Sequence, residues 1–277
     1  MTEPLLSTDW IKPPSLPIEK GQRRKLSLPR RQVGDLLYFG QKVPSIPVQR
    51  RMKLGPLLAS RKAAEVRPKW VSLLAKGFSQ VAAEMPKLRQ SFLNFPWPHI
   101  YEHPASIATI AVEREYKGED GVFFAKIHAP DRLSISNLDG YLRYFKDAPF
   151  DQVEEFRLGL FVSRLWRPIR RSLWSFALNV SGDIRGRVFG TFGISVYGGL
   201  GSESLHPISP LTCLLNIGTI SPEGQVDLRL VYDHRILDGA TVARALKRLE
   251  EVLNDQVADE VRMIPPNVIP FPNRGAA

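Results

Sequence analysis

Between Gln225 and Val252 the hydrophobic period changes once, and that change most limits what the chain can fold into. In QVDLRLVY, Val226, Leu228, Leu230 and Tyr232 recur at every second position, as in a half-buried strand. Beyond an aspartate–glycine pair, Val242, Leu246, Leu249 and Val252 recur three or four apart, as on one face of a helix. A strand feeding a helix through the short connection DHRILDG implies mixed α/β architecture.

The rest of the chain agrees. Val43–Leu54 contains two prolines that forbid a helix interior, so it reads as extended. Val71, Leu74, Phe78, Val81 and Met85 mark a helix that Pro86 stops. Ala105–Pro130 reads as two strands, with GEDG (Gly118–Gly121) as the turn between them. Ser134–Phe145 is a helix with serine in a capping position, and helical sequence continues to Val180. A glycine-rich stretch from Gly190 leads into strand-like sequence, and SPEG (Ser221–Gly224) reads as a turn. There is no internal repeat. One domain over 23–258 is expected, between a loose N-terminal arm, 1–22, and a flexible C-terminal tail, 259–277.

Of 277 residues, 43% are hydrophobic, enough for a sizeable core. No apolar run reaches the roughly 18 residues of a membrane span, and the first residues lack the basic start and apolar stretch of a signal peptide. A cytoplasmic protein is expected. The single cysteine, Cys213, excludes an internal disulfide, and its apolar neighbours make it a core residue. His99 and His103 have no zinc-site spacing, and no metal is expected. Net charge is +10, a field that attracts nucleic acid, anionic lipid or a phosphorylated cofactor. No nucleic-acid-reading motif accompanies it, so a nucleic-acid partner is not favoured.

His234 falls in the connection between strand and helix, where a scaffold presents groups to a cleft. Neutral imidazole is a general base near neutral pH. Asp233 and Asp238 flank it, and Gly239 permits a close turn. From these residues alone, a junction histidine bonded to backbone is an equally good reading.

DHRILDGA (Asp233–Ala240) resembles the signature of the acyltransferase components of 2-oxo acid dehydrogenase complexes. Its histidine-x3-aspartate-glycine skeleton is similar to chloramphenicol acetyltransferase and to peptide-synthetase condensation domains. More weakly, the resemblance covers Lys25 to Asp255. It implies a chloramphenicol acetyltransferase-like two-layer sandwich of a mixed sheet with helices. It also implies that His234 takes a proton from a thiol of coenzyme A or dihydrolipoamide. FGISVYGGLG (Phe192–Gly201) lies where the family places an oxyanion-binding serine, which makes Ser195 the candidate donor. Gly193, Val196 and Tyr197 depart from the usual pattern. Asp238 resembles a residue braced by an arginine, for which Arg30 is the candidate, and Asp233 with Arg235 would hold the turn. The family forms trimers or larger assemblies with sites between subunits, so His234 and Ser195 are expected from different chains. No lipoyl segment is recognisable. The expected donor is therefore free acyl-coenzyme A, or a lipoyl group brought by a separate lipoyl-bearing or carrier protein.

Ser163–Val180 is a further departure. Trp166, Ile169, Leu173 and Phe176 recur at helical spacing among Arg164, Arg167, Arg170 and Arg171. The reading taken is a core-facing helix with solvated arginines. The alternatives are contact with an anionic membrane, the wall of an acyl tunnel, or a grip on coenzyme A phosphates. Acyl transfer is the expected function. A non-catalytic scaffold that keeps the fold is the rival, with the intact His234 and Asp238 against it.

Overall fold

The computed structural model describes residues 20–196 and 203–265. The expected N-terminal arm falls outside them up to residue 19, and the expected tail from 266. Helix α1 (Leu28–Gly40) leads into strand β1 (Ser45–Lys53), then α2 (Gly55–Ala63) and α3 (Trp70–Glu84). A small hairpin, β2 (Gln90–Leu93) and β3 (His99–Glu102), precedes a long one, β4 (Ile107–Tyr116) and β5 (Glu119–His128). Helices α4 (Ile135–Asp147), α5 (Glu154–Arg164), α6 (Arg167–Asn179) and α7 (Gly182–Phe189) follow. Strands β6 (Phe192–Val196), β7 (Cys213–Ile217) and β8 (Gln225–Asp233) end at α8 (Gly239–Val252) and α9 (Ala258–Arg262).

Six strands form one mixed sheet in the order β1-β8-β7-β6-β4-β5. β6 runs parallel to both neighbours, and the other pairs are antiparallel. The core fills one face. Phe123, Ala125 and Ile127 of β5, Phe192 and Ile194 of β6, and Leu228, Leu230 and Tyr232 of β8 meet Phe78 of α3 and Val242, Leu246 and Leu249 of α8 there. Each buried Phe, Ile, Leu or Val side chain among them contributes roughly 1.5–3 kcal/mol of hydrophobic stabilisation before conformational entropy is subtracted. This is the expected two-layer sandwich. Helices α1, α5, α6 and α7 cover part of the opposite face.

Several expectations need correction. The β4–β5 turn is made by Lys117 and Gly118, both at positive φ, while Glu119, Asp120 and Gly121 already lie in the strand. A two-residue loop of this handedness matches the twist of the flanking strands. Gly121 serves packing instead: a Cβ there would sit 2.7 Å from Pro29 of α1. β8 is not half-buried: both of its faces are buried from Leu228 onward, and it lies inside the sheet with β1 outside it. The body also extends past residue 258. Val261 is buried, and Glu260 accepts from the Ile135 amide and pairs with Lys76.

The largest correction concerns α6. Trp166, Ile169, Leu173 and Phe176 point outward, 46–73% exposed, while Arg170 is buried. Arg170 forms a charge-assisted pair with the buried Asp35 of α1, and Arg171 lies 3.7 Å from the same carboxylate. The buried acid on a neighbouring helix turns α6 so that Arg170 and Arg171 face inward, while Arg167 stays exposed.

Candidate active site

The connection from β8 to α8 is rigidly built. Asp233 is fully buried and accepts from the Arg235 amide at 3.0 Å and from its guanidinium at 2.6–3.2 Å. The Arg235 guanidinium also stacks 4.3 Å above the Phe92 ring. Asp233 and Arg235 are thus paired within the turn. The His234 amide donates to the Pro44 carbonyl, tying the loop to the start of β1. Asp238 caps α8 by accepting from the Thr241 amide at 2.8 Å. That bond holds the Asp238 carboxyl below the ordinary aspartate range.

The His234 ring is exposed, and its Nδ1 lies 3.0 Å from the Leu237 carbonyl oxygen. A carbonyl only accepts, so Nδ1 carries the proton and Nε2 keeps its lone pair. The loop therefore presents Nε2 outward as a base. Gly239 is not needed for a close turn: a Cβ there would meet only the Tyr232 hydroxyl, at 3.7 Å.

Ser195 lies elsewhere. It is buried in β6 opposite Asn216 of β7, and Asn216 is opposite Arg229 of β8. His234 is five residues further along β8, so the two are about 17 Å apart along the strands and about 10 Å across them. One chain cannot bring them together. Arg30 does not brace Asp238 either: its ion pair is with Glu119, at 3.6 Å. The expected oxyanion segment continues into Tyr197–Gly201, which lies outside the described residues.

Three buried polar groups had no role assigned in the sequence reading, where His103 figured only as a histidine without zinc-site spacing. Arg185 donates to the carbonyls of Phe92, Leu178 and Pro210, anchoring the approach to β7. Burial, and secondarily the Arg235 charge, lowers its pKa to about 10. His103 is bonded to Ser91 at 3.0 Å, and burial with the nearby Arg185 charge lowers its pKa to about 4. Asn216 is fully buried, and among the described residues neither its amide nitrogen nor its oxygen has a partner. A lone amide in the apolar run CLLNI was the one available signal. Arg185 and His103 carried none.

Ser195 also lies on the floor of a cavity of about 640 Å³. Thr109 and Ala111 of β4, Val122 and Phe124 of β5, and Gly193 share that floor, and α1, α5, α6 and α7 roof it. A second cavity, of about 330 Å³, adjoins the histidine loop and includes Lys42, Asn94, Asn179 and Arg235.

Residues 182–258 match the family model 2-oxoacid dehydrogenases acyltransferase (catalytic domain). Both Ser195 and His234 fall inside this stretch. A probable dihydrolipoamide acetyltransferase from Listeria monocytogenes has a similar structure, with TM-score 0.60 and 17% identity over 91% of this chain and 99% of that one. The dihydrolipoamide acetyltransferase of Azotobacter vinelandii gives TM-score 0.61 and 20% identity over 89% and 98%. The truncated catalytic core of the 2-oxoacid dehydrogenase multienzyme complex from Thermoplasma acidophilum gives 0.59 and 19% over 90% and 100%. No curated protein matches by sequence. The chain has the fold of these acyltransferase domains, and residues 182–258 carry the family pattern. Among the described residues no helix is long and apolar enough to cross a membrane.

Proposed function

We propose that the protein is an acyltransferase that exchanges an acyl group between a thioester and an acceptor, in sites shared by neighbouring copies of the chain. The observation that carries this is the His234 loop, whose bond to Leu237 reserves Nε2 as a base on an immobilised, exposed turn. Nε2 takes the proton of an acceptor thiol, of coenzyme A or of a dihydrolipoyl group carried by a partner protein. The resulting thiolate attacks the thioester carbonyl carbon. The Ser195 hydroxyl donates to the tetrahedral oxyanion. Collapse breaks the carbon–sulfur bond to the donor thiolate, which recovers the proton from His234. Base assistance contributes ~10²–10⁴ in rate and one oxyanion donor ~10²–10³. In the Azotobacter enzyme a serine, a histidine and an asparagine four residues after the histidine have been investigated for roles in the catalytic mechanism. Asp238 occupies the same offset from His234 here, and either residue type caps a helix.

The separation of Ser195 from His234 supports a site completed by a second copy, and a trimer closes such head-to-tail contacts. The test is complementation. His234→Ala and Ser195→Ala are each inactive in thiol release from acyl-coenzyme A. Co-expressed in equal amounts, they regain about a quarter of the sites in a cyclic assembly, because each site draws one residue from each of two chains. No recovery in a mixed oligomer whose single-type parents are folded would overturn the shared site.

The outward face of α6 favours an additional peripheral contact with an anionic membrane. Trp166 and Ile169 are exposed beside Arg164 and Arg167, the composition of an interfacial helix. Co-sedimentation with phosphatidylserine vesicles that Trp166→Glu abolishes would support it. Absence of binding to such vesicles at low salt would refute it.

A further inference from the structure

The cavity over Ser195 has a chemical polarity of its own. Its floor carries Ala111, Val122, Phe124 and Leu214, and its roof Val33, Leu36, Val162 and Trp174. Leu37, Leu158, Phe161, Leu173, Phe176 and Val188 line it and are also 38–58% exposed. Apolar side chains therefore continue from the interior out to solvent, as an entrance for an apolar ligand requires. The volume lies within the range of small-molecule sites.

Polar groups gather around Ser195. Asn216 is its neighbour across β6 and β7, and two residues in register on adjacent strands point to the same sheet face. Among the described residues neither polar atom of the buried Asn216 amide has a partner, and Asn216 itself lies outside the cavity lining. Gly193, two residues before Ser195, shares that face and lets the Leu214 side chain pack over it: a Cβ there would lie 2.6 Å from Leu214. Lys126 and Glu155 are the charged groups in the lining. Burial lowers the lysine pKa.

We infer that this cavity binds the alkyl chain of a medium- or long-chain acyl thioester, with the thioester carbonyl at Ser195. The inference rests on the acyltransferase reading and names its substrate class. Each methylene transferred from water to such a site is worth about fourfold in kcat/KM, so octanoyl should exceed acetyl by on the order of 10³.

The test measures kcat/KM for acetyl-, octanoyl- and tetradecanoyl-coenzyme A with the intact protein. It is repeated with Val122→Trp, which fills the floor about 12 Å from Ser195, and with Leu158→Trp at the half-exposed rim. A steep rise with chain length, with the tetradecanoyl-to-acetyl ratio falling at least tenfold in either folded variant, is the expected result. A wild-type ratio near one, or one unmoved by both variants, overturns the inference. If no thioester turns over, the acyltransferase reading fails on its own. Calorimetric binding of unreactive S-alkyl-coenzyme A thioethers then decides the cavity: tighter binding with length supports it, and length-independent binding overturns it.

Discussion

The Asp35–Arg170 pair orients α6, and its energetics can be worked from the structure. Asp35 is 1% exposed and Arg170 7%, and Asp35 also faces Arg171. Asp35→Ala removes the only carboxylate paired with these two guanidinium groups among the described residues. Breaking a buried pair in this one-sided way costs about 3–5 kcal/mol, because a charge is left buried without compensation. For a chain of this length that lowers the melting midpoint by on the order of 10 °C. Removing both charges is different: Asp35→Leu with Arg170→Met should recover most of the loss, since an apolar pair needs no desolvation. The assay is urea unfolding followed by tryptophan fluorescence at one fixed protein concentration, so that assembly does not shift the comparison. Trp174 reports directly, because it stacks on Phe39 of α1. A loss below about 1 kcal/mol for Asp35→Ala would mean that the pair is solvated and does not hold α6. A double variant no better than the single one would mean that packing, not charge, was lost.

Three further outcomes are expected. Cys213 is fully buried and burial pushes its thiol pKa up, so it should resist aromatic disulfide reagents in the native protein and react stoichiometrically in denaturant; rapid native labelling would contradict its placement in β7. His103 stays neutral in the fold down to about pH 4, whereas in the unfolded chain it protonates near 6.5. The unfolded state thus binds the extra proton between these values, and stability falls as pH drops from about 6.5 to 4, by on the order of 3 kcal/mol. His103→Gln should flatten that window in urea titrations, and an unchanged slope would refute the assignment. Asp238→Ala should lower the unfolding midpoint through loss of the α8 cap while Asp238→Asn retains it; equal losses in both would show that Asp238 acts through charge alone.

Much of this was legible in the sequence because it rests on local rules. Prolines in Val43–Leu54 allow only extended backbone, and the period of Val71–Met85 is that of a helix lying on a core. The histidine connection was readable for the same reason: a strand end, a capping aspartate and a tight acid–arginine clamp lie within seven residues. Arg30 was misplaced because pairing an arginine with one of many acids is a long-range choice. The structure settles it with Glu119.

By itself the sequence determined the α/β class, the strand–histidine–helix unit and the residues able to do acid–base chemistry. These follow from periodicity and short-range hydrogen bonding. Tertiary structure alone decided that α6 turns Arg170 and Arg171 inward, that Asn216 stands without a partner among the described residues beside Ser195, and that Ser195 and His234 lie at opposite ends of the sheet. The reason is physical: orientation, burial and strand register depend on partners far away in the chain, and no local period encodes which buried acid an arginine meets or which strand lies alongside.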